Sequence, residues 1–368
     1  MQYRFAVLAL VAALGACDQA ADITNPEPSL DEVRGPRAVY TITNQPTGNE
    51  VAVFAGDADG RLTATGRFAT GGTGTGDGLG SQGGVVLSDD GQRLFAVNAG
   101  SNDVSVFAVG PDGLSLLSRT PSGGTRPISV TVHHRLVYVL NAGGEGNISG
   151  FSLLANGRLE PIAGSTRSLS GTATDPAQVS FSPDGRRLVV TEKATNLIDV
   201  YPVDDRGVAG ARTSFPSAGN TPFGFAFGAQ EELVVSEAAG SASLYHLGRD
   251  GDLVVASAAV PTLQGAPCWV VVTANGRFVY TGNGAGSVTG FAVGRGGAVR
   301  LLNADGATAV IENGVNDIAL SGNSRYLYAL SVGDAPAVHA FRVRQDGQLE
   351  PLGAVEGLPA GTRGLTAR

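Results

Sequence analysis

The sequence predicts an all-β fold: a seven-bladed β-propeller of four-stranded antiparallel blades, with the ring closed by the C-terminal strand. Three observations lead there. The first is composition. The chain of 368 residues holds 54 Gly and 18 Pro, with 42% hydrophobic and only 16% charged residues. That is too apolar for a disordered chain, and no Gly-X-Y period is present. It is too glycine-rich for long helices, where each internal Gly costs about 1 kcal/mol relative to Ala. The second is a unit that recurs seven times. The third is a C-terminus that repeats the start of an inner strand.

Each unit reads as a hydrophobic strand, a short polar turn, a strand closing on an aromatic, and a turn of the Asp-Gly-x-Leu type. The closing aromatics are Phe54, Phe107, Phe151, Tyr201, Tyr245, Phe291 and Phe341, spaced 53, 44, 50, 44, 46 and 50 residues apart. A further strand precedes six of the units: 83–88, 128–132, 177–182, 224–228, 269–273 and 317–321. Ser-Asp-Asp-Gly at 88–91 and Ser-Pro-Asp-Gly at 182–185 supply tight turns, with glycine available for positive φ. Four short strands cannot bury both faces of a sheet alone, but seven such sheets packed radially can. The first unit begins at Ala38 without a preceding strand. The C-terminal Gly361-Thr-Arg-Gly-Leu-Thr-Ala-Arg368 resembles Gly124-Thr-Arg-Pro-Ile-Ser-Val-Thr131, where another blade begins. Residues 362–367 are therefore expected to supply the innermost strand of blade 1. The glycine-dense run 71–84 exceeds what the repeat needs and reads as a flexible loop over one face. Its Gly-x-Gly-x-x-Gly letters at 78–83 lead into a strand rather than a helix, which excludes a dinucleotide fingerprint.

Residues 1–16 read as a signal peptide. Arg4 is followed by the ten-residue apolar run Phe5–Leu14, too short for a spanning helix. Leu14-Gly15-Ala16-Cys17 resembles a bacterial lipobox, in which Cys17 is lipidated; an ordinary secretory signal with a coincidental cysteine is the alternative. Residues 17–36 form the lipidated cysteine and a tether, leaving 37–368 for the propeller. This places the chain in the bacterial cell envelope, on the periplasmic side, lipid-anchored to the inner or outer membrane. Asp18 resembles an inner-membrane retention signal. With 25 Lys and Arg against 33 Asp and Glu, and no basic stripe, nucleic acid is not an expected partner. Lys193 is the only lysine. Cys268, left without a partner cysteine, sits in a buried-strand pattern and reads as a buried thiol. The chain is expected to be a monomer.

Asn98-Ala-Gly-Ser-Asn-Asp-Val-Ser-Val-Phe107, together with Ser182-Pro-Asp-Gly-Arg-Arg-Leu188, resembles the lactonase-type seven-bladed propeller family. That family includes 6-phosphogluconolactonase and carboxymuconate-lactonizing enzyme; similar strand repeats occur in non-enzymatic surface propellers. The resemblance covers about residues 38–368 and implies hydrolysis of a small lactone at the central channel. In that family His, Arg and Glu line the site. The Glu resembles Glu237, within Ser236-Glu237-Ala238. The family's paired His fall on Asp175-Pro-Ala-Gln-Val179, and its Arg positions on Asn220–Gly224 and Gly314–Asp317, where this chain carries neither His nor Arg.

Candidate site residues lie where inner strands start and second strands end. Glu192 and Glu237 occupy equivalent positions in neighbouring blades. A carboxylate pair in a desolvated funnel can divide base and acid roles, with Arg126 or Asn141 stabilising an oxyanion. Gln178, Phe223, Trp269 and Asp317 complete the expected substrate-binding set. The structural alternative is that both Glu cap strand ends. No cofactor motif is present; Glu192, Glu237 and Asp317 offer oxygen ligands for a divalent cation. The functional expectation is lactone hydrolysis with Glu237 as base and Glu192 assisting. The alternative is a non-catalytic propeller presenting its channel mouth to an envelope protein or glycan.

Overall fold

The computed structural model describes residues 37–228, 232–333 and 335–368. The expected signal peptide, Cys17 and the expected tether lie outside the described residues. Seven antiparallel sheets follow one another around a ring. In blade 4, taken as the pattern, the strands run Pro176–Phe181, Arg187–Glu192, Leu197–Pro202 and Thr213–Pro216 from the inside outward. In blades 3 and 6 the outer edge is broken into two short pieces. No helix among the described residues is long and apolar enough to cross a membrane.

The second strands are buried along nearly their whole length and the third strands along most of theirs, because neighbouring blades cover both faces. Their apolar residues fill the space between neighbouring blades, and all seven closing aromatics are buried. Each such side chain contributes about 1.5–3 kcal/mol on leaving water. Second-strand tyrosines also tie one blade to the next. Tyr138 donates to Gly207 O at 2.7 Å, Tyr280 to Gly347 O at 2.7 Å, and Tyr326 to Ala58 O at 3.0 Å. The hydrogen-bonded turns that join first strands to second strands use the glycines that the sequence marked; Gly185, for example, sits at φ +69°.

Ring closure follows the expectation. Arg363–Ala367 pairs antiparallel with Ala38–Ile42 and becomes the innermost strand of blade 1. It is held from the other side by blade 7, where Leu365 N donates to Asp317 Oδ2 at 2.9 Å.

One blade departs from the pattern. The inner strands of blades 3 to 7 have six or seven residues, whereas that of blade 2 is only Val85–Leu87. Gly84 O still accepts from Val97 N at 3.0 Å, but Gly83 O accepts from Val130 N of blade 3 at 2.9 Å, and the residues before Gly83 leave their own sheet. The run 71–84 is thus not the loose loop that its glycines suggested. Asn44 Nδ2 donates to Asp77 O at 2.7 Å, and Thr75 N donates to Asn44 Oδ1 at 3.0 Å. Gly74 packs so closely on Asn44 that a Cβ there would lie 2.1 Å from its carbonyl carbon. Glycine here permits close backbone approach rather than mobility.

Candidate functional site

Inner-strand starts and second-strand ends share one end of the ring. The register pairs Pro127 with Asn141, Pro176 with Glu192, Pro222 with Glu237, Pro267 with Asn283 and Val315 with Ser331. Immediately after each of these pairs the ladder slips by a bulge. A bulge re-aims the next residues and leaves ladder groups free. The side chains beyond it then bond to the neighbouring blade. Gln178 Nε2 donates to Phe225 O at 3.0 Å, and Phe225 N donates back to Gln178 Oε1 at 2.7 Å. Asp317 accepts from Ile318 N at 2.8 Å and from Leu365 N. Burial pushes the Asp317 carboxyl well above the usual carboxylate range.

The two glutamates are strand-end staples in this structure. Both are fully buried. Glu237 accepts from Gly219 N at 2.8 Å, from Ser243 Oγ at 2.6 Å, and from the hydroxyls of Ser241 and Ser217. Glu192 accepts from Ser170 N at 2.8 Å, from the Ser170 hydroxyl, and from Thr195 Oγ1 at 2.6 Å. Asn98 and Asn283 hold the same place in blades 2 and 6 with the direction reversed, donating through Nδ2 to Ser105 Oγ and Thr289 Oγ1 at 2.8 Å. Each carboxylate is saturated and shielded, so neither stands open to a substrate. The reason is geometric: strand ends at the axis bring loop N–H groups and hydroxyls inward, and a buried donor needs an acceptor.

Other expected ligand contacts are also engaged elsewhere. Asn141 Nδ2 donates to Asn147 Oδ1 at 2.9 Å. Phe223 and Trp269 are buried against each other, ring centres 5.5 Å apart, and Trp269 Nε1 donates to Ser81 O at 3.1 Å. Glu192, Glu237 and Asp317 sit in three different blades; among the described residues no group of three or more His, Cys, Asp or Glu could hold a metal. Cys268 is a free buried thiol whose pKa burial raises to about 12, so it is no nucleophile at neutral pH.

Three cations converge on this end of the axis. Arg126, exposed, donates to Gly78 O at 3.3 Å. Lys193 donates to Gly80 O at 2.6 Å, lies 3.3 Å from the Asp175 carboxylate, and sits 5.0 Å from the Phe223 ring centre. Burial lowers the Lys193 amine below the usual lysine range, and Asp175 opposes that shift. Arg363 is bracketed by Asn316, whose amide oxygen accepts from Nη1 at 3.0 Å and from Nε at 2.9 Å once the amide is turned. Burial lowers the Arg363 pKa, while the charge of Asp77 opposes it. Asp175 is well exposed, at 63% for its side chain. Of these groups only Arg126 belongs to the expected set. The signals for the rest were a solitary lysine beside Glu192 and a glycine excess at 71–84.

Residues 34–167 and 73–208 match the model of the family described as Lactonase, 7-bladed beta-propeller. No curated protein matches the sequence at a significant level. Among solved structures, the periplasmic gluconolactonase of Pseudomonas aeruginosa is similar with a TM-score of 0.72 at 20% identity, covering 89% of this chain and 98% of that one. A protein from Lactobacillus plantarum gives 0.74 at 17% identity, covering 90% and 99%. A candidate 6-phosphogluconolactonase from Bacteroides uniformis gives 0.72 at 19% identity, covering 90% and 99%. At these identities the likeness shows the fold. The chain is therefore a seven-bladed propeller that shares its whole ring with these structures, and its sequence is similar to the lactonase family across residues 34–208.

Proposed function

We propose that the protein is a lactonase-family lipoprotein of the cell envelope, anchored through Cys17, which takes a small anionic lactone at the channel mouth and opens it. The observation that carries this reading is the convergence of Arg126, Lys193 and Arg363 on one end of the axis beside an exposed carboxylate, Asp175. Cations in a partly desolvated cleft favour a ligand with a carboxylate or phosphate. The family likeness supplies the lactone, and the apolar run before Cys17 supports the envelope address. In this reading Asp175 takes a proton from attacking water, and Lys193 stabilises the oxyanion that forms on the ring carbonyl. Glu192 and Glu237 hold the strand ends that position these groups. The second reading, a non-catalytic propeller, draws on the segment 77–82, which occupies the mouth.

The test is acid release from a lactone panel by the detergent-solubilised full chain. Asp175→Asn should lower turnover by about 100-fold or more, with Lys193→Met close behind. Folded Glu237→Gln should keep most of its activity. Loss with Glu237→Gln but not with Asp175→Asn would return the chemistry to the glutamate. Binding of the anions without turnover of any lactone would favour the non-catalytic propeller.

A further inference from the structure

The segment Asp77–Gln82 belongs to blade 2 but bonds to four other blades, among them blade 1 through Asn44. Ser81 Oγ donates to Ile128 O of blade 3 at 2.8 Å, and Gln82 N donates to Ala177 O of blade 4 at 3.2 Å. Gln82 Nε2 donates to Val270 O of blade 6 at 2.8 Å, and Val270 N donates to Gln82 Oε1 at 3.0 Å. This is the amide pair that Gln178 makes with Phe225, but Gln178 serves an adjacent blade, whereas Gln82 crosses the ring. The residue of blade 5 that would serve Val270 by the same rule is Gly224, which has no side chain. A Cβ on Gly224 would lie 2.1 Å from Gln82 Oε1. Gly224 therefore leaves the room that Gln82 fills.

The same segment supplies acceptors to two members of the cation cluster and sets a carboxylate near the third. Arg126 bonds Gly78 O, Lys193 bonds Gly80 O, and Asp77 lies within the field of Arg363. We infer that Asp77–Gln82 is an internal stopper that mimics an anionic ligand in the mouth, and that a sugar-acid lactone or its open acid binds by displacing it. The inference rests on the reading of the mouth as an anionic lactone site. An alternative seat for the segment exists in the fold. In blades 3 to 7 the inner strand is zipped to the end of its second strand. In blade 2 the last hydrogen bond to the second strand runs from Val97 N to Gly84 O at 3.0 Å, short of Asn98. Gln82 can pair with Asn98 there, as Pro127, Pro176 and Pro222 pair in their own blades, which gives the segment two hydrogen-bonded arrangements. Free ligand and stopper compete for the same three cations, so apparent affinity is reduced by the fraction of molecules that are open.

The experiment uses the full chain, with sodium gluconate, glucuronate and phosphogluconate as probes. Two readouts are taken: affinity by calorimetry and amide exchange of residues 77–84. Saturating the wild type with a probe that binds should raise exchange in 77–84. Gln82→Ala removes the cross-ring pair and should tighten that probe about tenfold. Unchanged or weaker affinity in Gln82→Ala, with binding still abolished by Arg126→Ala, overturns the stopper and leaves the mouth reading standing. Absence of binding in both proteins overturns the mouth reading and the stopper with it. Should Gln82→Ala fail to fold, the wild-type exchange decides alone: flat or reduced exchange on saturation overturns the stopper.

Discussion

Blades 4 and 5 solve one problem in two ways. Each ends its second strand on a buried glutamate, and the register pairs Glu192 with Leu197 and Glu237 with Ser241. Counting along the third strands from those pairs places Asp199 of blade 4 where blade 5 has Ser243. Ser243 donates to Glu237 at 2.6 Å whatever the pH. Asp199 is buried beside Glu192 and can donate to it only when protonated. Burial first, and the neighbouring Glu192 after it, raise the Asp199 carboxyl to about 7. Ser214 donates to its Oδ1 at 2.6 Å, and Arg212 Nε stands 3.5 Å from its Oδ2. Equivalent carboxylates therefore need not carry equivalent chemistry. What distinguishes them is whether the facing group holds a fixed proton or a titrating one.

Both blades are held in a closed ring, so the largest effect comes from opening it. Deleting residues 360–368 removes the innermost strand of blade 1 and takes the Leu365 partner from the buried Asp317. Cooperative thermal unfolding should be lost, because a domain's whole margin is only about 5–15 kcal/mol. A truncated chain that melts like the full one would show that blades 4 and 5 do not depend on closure.

The next effect separates the two blades by pH. A carboxyl whose folded pKa lies above its unfolded value stabilises fully below the unfolded pKa, and that contribution fades as pH rises through the folded one. For Asp199 the window runs from the ordinary aspartate range near 3.8 up to about 7. Asp199→Ser imports the blade 5 arrangement and should remove this decline. Its stability relative to wild type should rise across that window, by an amount on the order of a few kcal/mol. Asp317 shifts in the same direction, so the reading is the difference between variant and wild type in denaturant midpoints, not the wild-type slope. A difference that stays flat from pH 4 to 7 would mean that Asp199 is ionised throughout.

The ring was legible in the sequence because each blade repeats the same local physics. Aromatics close the strands, Asp-Gly turns join them, and a C-terminus that resembles a strand start closes the circle. The mouth was legible only in part. Glu192 and Glu237 were found by position, but that position also holds Asn98, Asn141 and Asn283, and this range of side chains marks a capping site more than a catalytic one. The bulges after the inner-strand starts leave no mark in a periodic pattern. Neither does the pairing of Gln82 with Val270, since contact across the axis joins residues 188 positions apart. The glycines of 71–84 signalled unusual backbone without saying whether it was loose or closely packed.

The smallest effect tests the blade 5 solution by itself. Ser243→Ala removes a donor to Glu237 and leaves Ala259 N, which donates to Ser243 Oγ at 2.8 Å, without its acceptor. Gly219 N and the Ser241 and Ser217 hydroxyls continue to hold Glu237. The expected loss is about 1–3 kcal/mol, the range for a buried polar group deprived of its partner. Because serine carries no titrating proton, that loss should be the same at pH 5 and pH 8 in chemical unfolding. A loss that grows as pH rises would show that Glu237, like Glu192, answers to a titrating neighbour, and the contrast between the two blades would vanish.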